Sequence, residues 1–358
     1  MRPNSKINGL RILQVMIMSQ VSYIEACGTN YEIGYRIGGS LKEKLISHNN
    51  DRQAFFRKFS KTHHSPLNKI VQISETLLSK YFPQYLEELR GLANGSSIPL
   101  SDVLLLCNEE TILNGALNKC TTFAYAGTES AILGHNEDWE AGFEDKLYVV
   151  KATPREGAAF LSLTYLGCLD GSSVALNAHG VAFSGNSILG GTQIGVPKNI
   201  ILRSQIEAKN IKEFEDLTTF KRRAVSNHSM AIDRKGDIVS IEVGLKEQSV
   251  FYTSGTYVHT NHPTHKRMIQ LENGSMENSI ARYTTAKEFI SNNHLDDKLA
   301  KEILRSHEKK PHTICIHPQT KCYSDNQTVA SAVVNLSEMS LSVTLGNPCR
   351  SKYKKFYL

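Results

Sequence analysis

No stretch of this 358-residue chain offers the roughly 18–20 uninterrupted apolar residues that a membrane span requires. Leu10–Ile24 comes nearest, with Ile12, Leu13, Val15, Met16, Ile17 and Met18, but Arg11, Gln14, Ser19 and Gln20 break it. Glu25 then precedes Cys27, where a signal peptidase needs small neutral residues. Residues 1–20 are therefore read as an N-terminal extension, with Met16 or Met18 as alternative starts, and a cytoplasmic location without a membrane partner is expected. Charge of one sign is also scarce: 41 basic residues face 35 acidic ones, and only Arg350, Lys352, Lys354 and Lys355 cluster. That balance excludes a nucleic-acid-binding stripe. The seven cysteines (Cys27, Cys107, Cys120, Cys168, Cys315, Cys322 and Cys349) are too few and too uneven for a disulfide framework, so a reducing compartment is expected. Internal repeats and low-complexity segments are absent. The glycine-rich run Gly190–Gly195 is followed by Val196 where a phosphate-cradling loop needs lysine, which leaves a turn or a loop near substrate. Cys315-Ile316-His317 with Cys322 fits no familiar zinc spacing, so neither a metal nor a cofactor is expected. His259, His262 and His265 read as hydrogen-bonded loop residues.

What is present suits a globular chain. Hydrophobic residues make up 40% of the chain and charged ones 21%, enough for a sizeable core in one domain over residues 21–358. The texture changes near residue 118. From Thr29 to Gly115 the pattern is helical: Thr29 with Glu32 forms a capping box, Pro66 follows Ser65 at a helix start, and Ser101 opens another apolar helix. Beyond it come short strands, expected at Thr121–Tyr125, Ala131–Gly134, Tyr148–Lys151, Phe160–Tyr165, Ser173–Asn177 and Val181–Ser184. Helices near Arg203–Lys209 and Lys212–Phe220 lead to strands at Ser229–Ile232, Ile238–Glu242, Ser249–Tyr252 and Tyr257–Thr260. Helices near Ala281–Ser291 and Asp297–Ser306 precede strands at Thr313–Ile316, Ala330–Asn335 and Leu341–Leu345. Strand runs interleaved with helix pairs indicate an α+β layered fold.

Taken alone, Cys120 at the start of a strand reads as a buried structural thiol, and Trp139 as a core aromatic. The order of the surrounding motifs says more. Gly28-Thr29-Asn30-Tyr31-Glu32-Ile33-Gly34, Cys120-Thr121-Thr122 and Gly134-His135-Asn136-Glu137-Asp138-Trp139 come first. Asn177-Ala178-His179-Gly180-Val181 leads to Gly185-Asn186, and Thr260-Asn261-His262-Pro263 precedes Ser279-Ile280-Ala281-Arg282. Cys315-Ile316-His317-Pro318 and Gly346-Asn347-Pro348-Cys349 close the series. Together they resemble the penicillin acyl-CoA acyltransferase family and, more distantly, the choloylglycine hydrolases, both N-terminal-nucleophile enzymes.

The resemblance implies an αββα sandwich with a helical N-terminal portion, and self-cleavage between Lys119 and Cys120. Fragments 1–119 and 120–358 would remain together as a heterodimer; assembly into homo-oligomers is left open. Cys120 is the implied nucleophile, with its own freed amine as general base, acting on an amide or an acyl-CoA thioester through an acyl-cysteine. Asp138 would orient the ammonium, Asn186 and Asn261 would donate to the oxyanion, and Arg282 would position the site, its partner unspecified. Thr121, Thr122, His135 and Asn136 are the expected substrate contacts. Two departures stand out: Lys119 where family members carry glycine, and His135 where the bile-salt branch carries arginine, which argues against that branch's substrates. A relative that binds an acyl ligand without turnover is the alternative.

Overall fold

The structure, a computed structural model, describes residues 21–63, 66–113, 120–128, 130–271, 276–291, 293–318 and 326–358. The expected extension 1–20, Lys119 and Cys322 lie outside the described residues. Strand β1 (Ser22–Gly28) precedes helices α1 (Asn30–Ser40), α2 (Lys42–His63), α3 (Leu67–Tyr81), α4 (Pro83–Ser96), α5 (Leu100–Cys107) and α6 (Glu109–Ile112). The Thr29 capping box is formed in both directions, Thr29 accepting from the Glu32 N–H while the Glu32 carboxylate accepts from the Thr29 N–H. Helices α1 and α4 cross backbone to backbone because both carry glycine at the contact. A Cβ on Gly34 would stand 1.9 Å from the Glu88 carbonyl oxygen, and one on Gly91 would stand 2.1 Å from that of Tyr31. Gly91→Ala is therefore expected to force the helices apart at a cost of about 1–3 kcal/mol or more. A thermal unfolding midpoint unchanged from wild type would refute this close approach.

Two sheets carry the rest. The first is eight-stranded, ordered β1, β4 (Leu147–Pro154), β5 (Phe160–Tyr165), β6 (Val174–Asn177), β7 (Val181–Thr192), β8 (Val225–Asp233), β9 (Ile238–Val243) and β10 (Gln248–Thr253). The second is six-stranded, ordered β11 (Thr256–His259), β2 (Thr121–Ala126), β3 (Ala131–Glu140), β12 (Asn326–Asn335), β13 (Ser340–Leu345) and β14 (Lys354–Tyr357). Helices α7 (Lys198–Gln205) and α8 (Ile211–Thr218) follow β7, while α9 (Glu277–Ser291) and α10 (Asp297–Leu304) follow β11.

Strand alternation explains the layering, since successive side chains point to opposite faces. In β4, Tyr148, Val150 and Ala152 pack with α1, α4, α5, α7 and α8, whereas Leu147 and Val149 face the second sheet. In the second sheet, Ala124 and Leu133 face the first, while Phe123 and Ile132 turn outward to Ala286, Ile290, Ala300 and Ile303 of α9 and α10. The layers run helix, sheet, sheet, helix, as expected. Arg203 ties α7 to α4, its fully buried guanidinium pairing with Glu88 and Glu207. No helix among the described residues is long and apolar enough to cross a membrane.

The expected strand at Thr313–Ile316 is not formed. Its hydrogen bonds close a bend instead: Cys315 N–H donates to Ser306 O, Thr313 Oγ1 donates to Cys315 O, and Ile316 N–H donates to Thr328 Oγ1. The first helix after β7 begins at Lys198 rather than near Arg203, because Pro197 fixes its start.

Candidate active site

Antiparallel pairing of β2 with β3 sets Thr121 opposite Asn136 and Thr122 opposite His135, leaving Cys120 beside Glu137. The Cys120 thiol is buried and donates to Glu137 Oε1 at 3.2 Å. Glu137 Oε2 accepts from His135 Nε2 at 3.2 Å. His135 Nδ1 is 2.8 Å from both Thr122 Oγ1 and Ser184 Oγ, so a hydrogen-bonded chain runs from Ser184 on the first sheet through His135 and Glu137 to Cys120. Glu137 and His135 share a strand face because they are two residues apart.

The other side of Cys120 is held by Arg282, on α9 and fully buried. Its Nη1 donates to Cys120 O at 2.6 Å and to Thr121 Oγ1 at 2.8 Å. Nη2 donates to Asn261 Oδ1 at 2.7 Å, and Nε donates to Asn278 Oδ1 at 2.9 Å. The partner that the sequence left unspecified is thus the backbone carbonyl of Cys120. Asp138, on the same face of β3 as Asn136, accepts from Thr328 Oγ1 at 2.5 Å, and its charge opposes the fall that burial imposes on Arg282.

Asn186 lies between the two sheets. Its Oδ1 accepts from Thr122 Oγ1, and its Nδ2 donates to both His259 O and Thr260 O. Two N–H groups on two carbonyls satisfy this buried amide. Asn261 Nδ2 donates to Ser187 O, its orientation set by Arg282.

A cavity opens at Cys120 between α5–α6, α7 and the strands. Leu106, Trp139, Phe143, Tyr165, Leu166 and Val225 form its apolar wall, and His48, Glu109, Glu110, Glu137 and Lys198 its polar one. None of the four expected substrate contacts lines it. Thr121, Thr122 and His135 bond within the protein, and Asn136 turns outward to donate to Leu304 O and Ile314 O. Lys198 and Glu137 were not selected from the sequence. Glu137 stood inside a quoted motif two residues from His135, a usable signal; Lys198 reaches the site only through the placement of α7. The histidines are bonded as expected, His259 to Glu242, His262 to Ser279 and His265 to Ser240.

Burial pushes the Cys120 thiol up, and the Glu137 and Asp138 carboxylates push it further, so in the uncut chain it is held as thiol. Lys198 stays charged because Glu110 outweighs its burial. Burial also raises Glu137, but the hydrogen bond and charge of His135, then Ser173 and Lys198, overcome this and hold it below the usual carboxylate range. A carboxyl depressed by folding contributes stability that is present above its unfolded value and lost as pH falls through the folded one. Wild type should therefore lose stability below about pH 4 by a step that Glu137→Gln lacks. Denaturant titrations across that range check this, and parallel acid profiles would contradict it.

The acyl-coenzyme A:6-aminopenicillanic acid acyl-transferase family matches residues 125–350. The chain is 21% identical over 333 residues to the 40 kDa form of acyl-coenzyme A:6-aminopenicillanic-acid-acyltransferase of Emericella nidulans, covering 88% of each chain. It is 27% identical over 210 residues to the β-alanyl-dopamine/carcinine hydrolase of Drosophila melanogaster, covering 52% of this chain and 54% of the relative. Among solved structures, a variant of the conjugated bile acid hydrolase of Clostridium perfringens aligns with a TM-score of 0.48 at 13% identity, covering 67% of this chain and 97% of that one.

Proposed function

Because this chain belongs to the acyl-coenzyme A:6-aminopenicillanic acid acyl-transferase family, we propose that it is a self-processing cysteine enzyme that cleaves a C–N amide or acyl-CoA thioester through an acyl-Cys120 intermediate. The observation that carries this reading is the grip of buried Arg282 on the Cys120 carbonyl, with the sulfur opening to the cavity. A cation committed to one backbone carbonyl fixes the nucleophile where positioning matters most.

Maturation begins when Cys120 Sγ adds to the Lys119 carbonyl carbon. The C–N bond breaks as the nitrogen gains a proton, and water then hydrolyses the thioester. The freed α-amine, with an ordinary pKa of about 8, takes the thiol proton, and the thiolate attacks the acyl carbonyl. The leaving amine or thiol departs with that proton, and water or an amine accepts the acyl group from sulfur. Asp138 faces the ammonium, and Asn261, aimed by Arg282, donates to the oxyanion. The aromatic wall of Trp139, Phe143 and Tyr165 suits the apolar part of the acyl donor. The two relatives, one named a transferase and one a hydrolase, match the two acceptors this chemistry allows.

Intact mass spectrometry of the purified protein tests the proposal. Scaling 39.9 kDa over 358 residues, a cut after Lys119 gives fragments of about 13 and 27 kDa, the larger beginning at Cys120. A chain that stays whole through prolonged incubation would overturn it.

A further inference from the structure

Away from the cavity, four soft donor atoms converge where the segment after α10, the bend before β12 and the turn before β14 meet. His307 Nε2 lies 3.0 Å from His317 Nε2. Cys315 Sγ lies 3.6 Å from both His317 Nε2 and Cys349 Sγ, and Cys349 Sγ lies 3.2 Å from His317 Nε2. All four atoms fall within 4.8 Å of one another. A tetrahedral zinc with ordinary Zn–S and Zn–N bonds has ligand-to-ligand edges of roughly 3.3–3.8 Å, close to these separations. Hydrogen bonding alone serves the group poorly: three partners crowd His317 Nε2, which carries at most one proton. A central cation would take one lone pair from each of the four donor atoms.

We propose that His307, Cys315, His317 and Cys349 form a closed Cys2His2 site for a zinc-class divalent ion, which binds with release of the two thiol protons. The linear pattern concealed it because two ligands come from elsewhere: the fold brings His307 and Cys349 to the Cys-x-His pair, whereas Cys322, weighed first, lies outside the described residues. An outer contact supports the set, with Asn347 Nδ2 donating to Ile316 O at 2.6 Å and lying 3.7 Å from Cys315 Sγ. The ion would clip three separate segments together. It would also steady the bend whose Ile316 N–H reaches Thr328, the residue that donates to Asp138.

The test uses the full chain, purified under reducing conditions from zinc-supplemented cells. Elemental analysis should find about one zinc per chain, and exchange with cobalt(II) should give tetrahedral d–d bands with thiolate-to-cobalt charge transfer. Cys349→Ser and His307→Ala should each lose the metal, while Cys120→Ala, which disrupts the separate Cys120–His135–Glu137 group, should keep it. The cobalt spectrum of wild type reads thiolate ligation without relying on the folding of any variant. Wild type that holds no zinc and gives no thiolate–cobalt bands would overturn the proposal. So would metal kept by Cys349→Ser but lost by Cys120→Ala, or a Cys315–Cys349 disulfide found by mass analysis.

Discussion

Cys120→Ala is expected to remain a single 39.9 kDa chain and to lose acyl transfer entirely, on the order of the 10⁶-fold seen when a triad nucleophile is deleted. The expectation rests on one atom serving twice. On the proposed mechanism the same sulfur would open the 119–120 peptide bond and later carry the acyl group, so its removal would block maturation and turnover together. Cys120→Ser separates the two roles: a hydroxyl keeps the shape while being a much weaker nucleophile, and slow cutting with poor turnover should follow. Because Cys120 is buried beside Glu137, neither change alters surface charge, and circular dichroism should match wild type. Cleavage proceeding at the normal rate in the alanine variant would place the nucleophile elsewhere and end this reading.

Arg282→Lys is expected to lower kcat by roughly 10²-fold with a smaller change in KM, because an ammonium cannot reproduce a planar fork. Arg282 places four donor contacts at fixed angles on Cys120 O, Thr121 Oγ1, Asn261 Oδ1 and Asn278 Oδ1. Lysine keeps the charge and loses the geometry, so the carbonyl next to the nucleophile gains freedom. Arg282→Ala also strands those neutral acceptors in a buried site and should lose about 1–3 kcal/mol of stability for each one left unpaired. Arg282 acts through Cys120, so the informative readout is alkylation of the mature thiol compared with global unfolding. A lysine variant with wild-type kcat, or one whose loss tracks only its melting, would refute the positioning role.

Much of this was legible in the chain, for physical reasons that can be named. The Thr29–Glu32 box is local and readable from two residues, and Phe160–Tyr165 is a short apolar run bounded by Gly157 and Gly167 whose ends match the strand. Cys120, Asp138, Asn261 and Arg282 were picked out by motif order, and the fold assembles them round one carbonyl and its neighbours. What was not legible is long-range. The carbonyls of His259 and Thr260 that accept from the Asn186 amide lie more than seventy residues away. Strand β1 escaped notice because its partner, β4, follows more than a hundred residues later. Lys198 at the cavity, and His307 and Cys349 of the proposed metal site, depend wholly on which segments the topology brings together.

The parallel pairing of β1 with β4 joins Ser22–Gly28 to Tyr148–Pro154, across the proposed cut. The N-terminal piece then supplies an edge strand and most of one helical layer, so the nick releases nothing while the fold persists. Its effect appears on unfolding. Before cutting, the two parts find each other as one tethered chain; afterwards, reassembly is a second-order encounter that dilution slows. Refolding yield of the mature enzyme should therefore rise with protein concentration, whereas that of uncut Cys120→Ala should not. Self-cleavage would thus make the stability of this fold depend on protein concentration, as for a two-chain assembly.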